Sequence, residues 1–396
     1  MLNVSKVKKA IQAKKGQIEM QTQNSHESFA KHLQYCEKLS EWELTKFNDF
    51  ILKAQAEKPF IGALITNDLK DSGFVSKFGL QFNQPAEIAQ WKSEILENRI
   101  VCAVDGSQID PDKNLNLFFG AVQASHFINY HNAQQKSDKD VDFEIILPSN
   151  SQDEDEFELR QKIAFERTAK EIINLIKVID RIGKLPTNKR PLAFFDGSLT
   201  FSFVKQEKLQ KDYNKLISQL IEKSQLNNVP VIGFIDTSLA FNLTSSLKAV
   251  FGGLDDKNFK ISDSSLLSHF LSDWGSRSAY FEYCNGNEMQ DDSINKLGFC
   301  YLKTSSKAKK PARLEIPHWV YEAGLLNEVI NIVLAECLVG NGYPYSLEVA
   351  DSTAVIQMAE REYFYGILEK ELNHSFLTSS KQSSKNQRRR SSIKLS

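Results

Sequence analysis

Cysteine, charge of one sign and long apolar runs are all scarce in this chain, and each scarcity removes a class of protein. Five cysteines occur in 396 residues (Cys36, Cys102, Cys284, Cys300 and Cys337), scattered and never in a CxxC pair. That argues against a disulfide framework or a cysteine zinc site, and for reduced, buried thiols in a cytoplasmic protein. Net charge is −1, so no global field draws in nucleic acid, and a local patch must hold any such partner. No apolar stretch reaches the ~18 residues that would suggest a membrane span. The opening "MLNVSKVKKAIQAKKGQ" is basic without an apolar h-region, so a secretory signal is not expected. Neither a GxxxxGK[ST] phosphate loop nor a GxGxxG fingerprint occurs, which sets aside a self-powered translocase and a dinucleotide enzyme. What is present, 41% hydrophobic and 25% charged residues, suits one large globular domain or two moderate ones.

Residues 1–56 are polar, with one glycine and no proline, and carry Phe29, Leu33, Tyr35, Leu39, Trp42, Leu44, Phe47 and Ile51 at helical spacing. They read as a helical N-terminal extension of one or two amphipathic helices, whose apolar face needs the main domain or a second subunit. Residues 57–97 read as a connecting segment. From Asn98 the texture changes to three strand-like stretches, "IVCAV", "LNLFFGAVQASHFINY" and "VDFEIILP". A helix over about Glu156–Arg181, the strand "LAFF", the helix "KLQKDYNKLISQLIEKSQ" and the strand "VPVIGFID" follow. Three consecutive strands and then alternation with helices predict a mixed α/β sheet flanked by helices. The tail, residues 376–396, is rich in Ser, Lys and Arg and is expected to be a disordered basic segment.

Two of the buried strands run into the same three residues. Asp105-Gly106-Ser107 follows Ile100–Val104, and Asp196-Gly197-Ser198 follows Leu192–Phe195; a third strand runs into Asp236-Thr237-Ser238. Sites in open α/β sheets form beyond the carboxyl ends of strands, so the repeated aspartate reads as ligand placement. Asp-Gly is equally a tight-turn dipeptide, and that reading stands beside the first.

The stretches "VDGS", "FFDGSL", "PVIGFID", "RLEIPHW" and "GYPYSLEVAD", in this order over about residues 98–365, resemble the NurA nuclease family. The resemblance implies an RNase H-like core over residues 98–375 and metal-dependent DNA end resection. It further implies single-strand endonuclease and 5′-to-3′ exonuclease activity with Mn²⁺ or Mg²⁺, two ions per site. A homodimer working with a HerA-type hexameric ATPase in double-strand break repair is the implied assembly. Hard divalent cations take oxygen ligands, and two of them suit in-line phosphodiester displacement. Asp105 and Asp196 match the family's strand-end metal ligands. The family's third acid lies on the helix before the second DGS strand; Glu171 is preferred there on its spacing to Asp196, with Glu166 as the alternative.

Tyr343 matches the family's "GYP" tyrosine, a phosphate or water contact, with packing on the core as the other reading. Asp351 stands where the family pattern has histidine; it keeps metal-ligand capacity but not that of a neutral imidazole base. Asp236 stands where relatives carry lysine, and is either a member of the acid cluster or a helix N-cap. Arg277, Lys303 and Arg313, with Lys307, Lys309 and Lys310, are the candidate DNA-binding cations, and Trp319 or Tyr301 a stacking aromatic. The rival readings are a catalytically impaired interaction subunit of a translocase, another RNase H-like nuclease, and a non-nuclease α/β protein.

Overall fold

The computed structural model describes residues 2–58, 60–111, 119–148, 156–200, 206–253, 260–285 and 296–371. The expected disordered tail, residues 376–396, lies outside them. Strands in the described chain are β1 (Ile61–Ile65), β2 (Val75–Ser76), β3 (Val101–Ile109), β4 (Gly120–Asn129), β5 (Asp138–Ile146), β6 (Leu192–Asp196), β7 (Val231–Ile235), β8 (Arg277–Ser278), β9 (Phe281–Asn285), β10 (Leu297–Leu302) and β11 (Ala312–Pro317). Helices are α1 (Val4–Leu39), α2 (Leu44–Glu57), α3 (Asn67–Ser72), α4 (Pro85–Leu96), α5 (Glu156–Ile182), α6 (Glu207–Leu226), α7 (Asn242–Phe251), α8 (Asp263–Leu267), α9 (His318–Glu322), α10 (Leu326–Val339), α11 (Tyr345–Ala354) and α12 (Met358–Glu371). No helix among them is long and apolar enough to cross a membrane.

The chain forms two compact units. One comprises Met1–Ile95, Gly197–Leu199 and Ile232–Pro344; the other Leu96–Asp196, Thr200–Val231 and Tyr345–Ser396. We call the second the acid-cluster unit, for the acids it carries, and the first the helical-side unit.

In the acid-cluster unit β3, β4 and β5 form an antiparallel meander, with Val101↔Asn129 and Gly120↔Ile146 near its ends. The long helix α5 then crosses over, and β6 returns parallel to β3 with Val101↔Leu192 through Val104↔Phe195 in register. The order β5-β4-β3-β6 with that parallel return is the RNase H-like arrangement. Periodicity explains α5: Leu159, Ile163, Ile172, Leu175 and Ile179 recur on one stripe and are all buried. β3 and β6 are near-continuous apolar runs because they are covered on both faces.

The helical-side unit holds the sheet order β1-β9-β10-β11-β7, antiparallel at β1·β9, β9·β10, β10·β11 and β11·β7. Residues 57–97, compositionally a connection, supply β1, α3, β2 and α4. Ile61–Ile65 pairs along its full length with Phe281–Asn285, a partner far away in sequence. The amphipathic face of α1 and α2 is absorbed within the same unit: Tyr35, Leu39, Phe47 and Ile51 are buried in its core, with Phe29, Leu33, Trp42 and Leu44 packed against it. All five cysteines are free and buried.

Candidate active site

The two DGS triplets fold differently. β3 does not end at Asp105; it runs on to Ile109, with Asp105↔Ser125 and Gly106↔Ala124 paired to β4. What ends at Val104 is the pairing with β6, so Asp105 stands where β3 loses its parallel neighbour. No turn forms at Asp105-Gly106, and Gly106 is required for another reason: a Cβ there would lie 2.3 Å from Glu171 Oε1. Asp196, by contrast, is the last residue of β6, and Gly197 follows at φ 119, a backbone conformation that favours glycine. Here both readings hold together, a strand-end acid and a glycine turn.

The serines also differ in use. Ser107 Oγ donates to Ala354 O at 2.5 Å, Gln123 Nε2 to the same oxygen at 3.0 Å, and Ser125 Oγ to Ala350 O at 2.8 Å. These bonds fasten α11 to β3 and β4 and bring exposed Asp351 near enough to Asp105 to raise its carboxyl. Ser198 Oγ and Leu199 N, in the helical-side unit, both donate to Glu315 Oε2, at 2.9 and 2.7 Å.

Four acids therefore come together within one unit: Asp105 on β3, Asp196 on β6, Glu171 on α5 and Asp351 on α11. Burial raises the Asp105 carboxyl to about 6; the Gly106 N–H opposes this, and Asp196 and Asp351 add to it. Burial likewise raises Glu171 to about 8, opposed by Arg167 and reinforced by Asp105 and Asp196. Glu166 faces elsewhere, since five helical residues turn about 140°; it is raised by partial burial and by Glu144, and lowered by Lys162 and Lys170.

Among the described residues no three His, Cys, Asp or Glu side chains form a ready-made metal-ligand group. The donor chemistry nonetheless fits a hard divalent cation. The oxygens are carboxylate, their mutual repulsion calls for positive charge, and buried Glu171 Oε1 accepts no hydrogen bond.

The remaining sequence candidates lie in the helical-side unit. The Tyr343 ring packs edge-on against Phe234, centroids 5.2 Å apart. Asp236 is exposed and accepts from Thr237 Oγ1 at 3.3 Å; it caps no helix, because α7 begins at Asn242 with Phe241 at its N-cap.

The three proposed DNA-binding cations are interior groups, which corrects the sequence expectation. Arg277 is 4% exposed and grips Asp68 with both nitrogens, at 2.6 and 3.1 Å. Arg313 is 2% exposed, bonds Glu315, Asn242 and Tyr301, and lies 3.9 Å over the Phe299 ring. Lys303 is buried and donates to Ala308 O, closing the loop that displays exposed Lys307, Lys309 and Lys310. Tyr301 is fully buried and cannot stack on a base, whereas Trp319 is half-buried. Strands buried on both faces take charge only with partners, and of these Asp68 and Asn242 are distant in sequence. The cation that sequence reasoning missed is Arg167, whose i,i+4 spacing to Glu171 looks like an ordinary helix-surface pair.

The family model described as the NurA domain matches residues 99–356. A crystal structure of NurA bound to dAMP and manganese is 12% identical, covering 67% of this chain and 87% of that one, with TM-score 0.37. A second NurA crystal structure is 10% identical, covering 69% and 89%, with TM-score 0.39. The catalytic domain of human endonuclease V is 12% identical, covering 78% and 95%, with TM-score 0.32. No curated protein matches the chain. With well over half of its length matched by that family model, the chain belongs to the NurA family.

Proposed function

We propose that this chain is a divalent-metal-dependent DNA nuclease, a single-strand endonuclease and 5′-to-3′ exonuclease that resects DNA ends in double-strand break repair. The observation that carries the proposal is the gathering of Asp105, Glu171, Asp196 and Asp351, acids close enough to raise one another's carboxyls. Family membership supports the coarser statement, a nuclease-type function. A homodimer in the cytoplasm, working with a HerA-type hexameric translocase, completes the reading on the strength of the family resemblance.

Asp105, Asp196, Glu171 and Asp351 would hold Mn²⁺ or Mg²⁺. When bound, the ions supply Lewis-acid polarisation of the phosphodiester and the means to generate a nucleophile at neutral pH. The chain supplies the rest. Asp105 and Asp196 are carried on paired strands, which fixes their spacing within the sheet. Glu171 is held beside Gly106 by the absence of a Cβ, and the serine bonds to α11 hold Asp351 in place. Asp351 would offer the ions a carboxylate oxygen where the family's histidine would offer an imidazole nitrogen. A phosphate contact by Tyr343 rests on the resemblance alone.

The purified full-length chain with labelled single-stranded DNA and Mn²⁺ tests the proposal. Cleavage that EDTA abolishes and Asp196→Asn removes supports it; competition with labelled RNA reads the substrate class. No cleavage with any divalent metal, alongside retained binding to a HerA-type partner, identifies an interaction subunit instead.

A further inference from the structure

We infer that Arg167 is a further catalytic residue, its guanidinium contacting the phosphate of the DNA strand beside the four carboxylates; the inference rests on the nuclease reading above. Arg167 lies on α5 one turn before Glu171. Its Nη1 donates to Gly106 O at 3.2 Å, the carbonyl next to Asp105, and stands 3.5 Å from Glu171 Oε1. The ion pair is not closed by a hydrogen bond: Glu171 Oε1 has none, and Arg167 Nε is buried with no partner among the described residues. The side chain is 36% exposed while that of Glu171 is 6%, so the cation reaches from the buried acid toward solvent.

The interior arginines behave otherwise. Arg277 and Arg313 are held by several hydrogen bonds each, and nothing of them is offered outward. Arg167 is anchored by a single bond and keeps donor capacity. A phosphodiester approaching four carboxylates meets repulsion from all of them, and Arg167 is the cation that acts on Glu171. Divalent ions on the acids would relieve Glu171 of its need for that charge and leave the guanidinium to the phosphate, which its planar fork matches.

The full-length chain carrying Arg167→Gln or Arg167→Lys tests this by single-turnover cleavage of a labelled single-stranded oligonucleotide at saturating Mn²⁺. Oligonucleotide affinity is read in parallel by anisotropy in Ca²⁺, and melting temperature and Mn²⁺ affinity for each variant. The expected result is a loss of about 10²-fold in cleavage rate for Arg167→Gln. Arg167→Lys recovers about tenfold of it, since lysine keeps the charge without the fork. Wild-type-like cleavage by Arg167→Gln, with only melting or Mn²⁺ affinity shifted, overturns the inference and makes Arg167 a structural partner of Glu171. Should Arg167→Gln not fold, the lysine variant decides: full activity overturns, partial activity with unchanged Mn²⁺ affinity supports. If the wild type cleaves nothing, the nuclease reading falls by itself, and the anisotropy decides here, weaker binding by Arg167→Gln supporting the contact and equal binding overturning it.

Discussion

Glu315 and Glu171 are both deeply buried, at 2% and 5% exposure, and their surroundings are opposite. In the helical-side unit, Glu315 Oε1 receives Arg313 Nε at 2.9 Å, and Oε2 receives Ser198 and Leu199. Asp263, in the same network, accepts from Leu243 N, Thr244 N and Thr244 Oγ1. In the acid-cluster unit, Glu171 Oε1 accepts nothing, and its neighbours include two more acids. A buried carboxylate with every oxygen bonded explains itself as structure. One left open among like charges is a cost to folding that an incoming cation would offset.

The sharpest way to break this comparison is to neutralise one acid in each unit and ask what is lost. Asp105→Asn should reduce Mn²⁺-dependent DNA cleavage by at least about 10³-fold while the chain melts no lower than wild type, because a raised carboxyl is replaced by a neutral group of its own shape. Arg313→Ala should do the reverse. It strands Glu315 in the interior and should cost about 3–5 kcal/mol in a urea unfolding curve, with residual activity following the folded fraction. If Asp105→Asn unfolds the protein, or Arg313→Ala keeps full stability, the division between structural and functional acids is wrong.

A smaller effect is expected where the backbone makes room for Glu171. Gly106→Ala would put a Cβ 2.3 Å from Glu171 Oε1 in a site with little space to yield. The acid must move, and a displacement near 1 Å in an active site costs about 10²-fold. Single-turnover kinetics should show that loss with the secondary structure by circular dichroism unchanged. An active Gly106→Ala would mean that Glu171 can be displaced without consequence, and would remove it from the ligand set.

The same comparison shows what sequence can carry. The mixed sheet was legible because β3, β6 and β7 are short apolar runs separated by strongly periodic helices, α5 above all. The strand-end acids were legible because a charge after a buried run is costly and therefore informative. Two things were hidden. Whether Asp105 ends its strand depends on how far β4 accompanies it, which is a matter of long-range pairing. Whether Arg277 and Arg313 face water depends on Asp68, Asn242 and Glu315, and on a strand such as "ARLEIP" being covered on both faces. Local spacing contains neither fact, so basic residues in a strand pair read as a DNA surface when they are interior ion pairs.

Protons sharpen the comparison further. Burial pushes the Asp105 and Glu171 carboxyls up to about 6 and about 8, against an ordinary carboxylate value of about 4. Between roughly pH 4 and 8 the folded state holds protons that the unfolded chain has released, so stability falls as pH rises through that window. In EDTA, the melting temperature of wild type relative to Glu171→Gln should drop from pH 5 to pH 8, and saturating Mn²⁺ should abolish the drop. A wild-type-minus-variant difference that stays flat with pH would show that Glu171 is not held protonated.

The smallest expected effect belongs to Glu166, and it is informative because the residue shares a helix with Glu171. Its shift upward comes first from partial burial and then from Glu144, with Lys162 and Lys170 opposing, and none of the four clustered acids contributes. A position about 140° around the helix from Glu171 cannot supply an oxygen to the same ion as Glu171 without unwinding α5. Glu166→Gln should therefore cleave within about twofold of wild type and shift stability by no more than about 0.5 kcal/mol. A hundredfold loss from this substitution would exchange the two glutamates, and with them the face of α5 that looks onto the site.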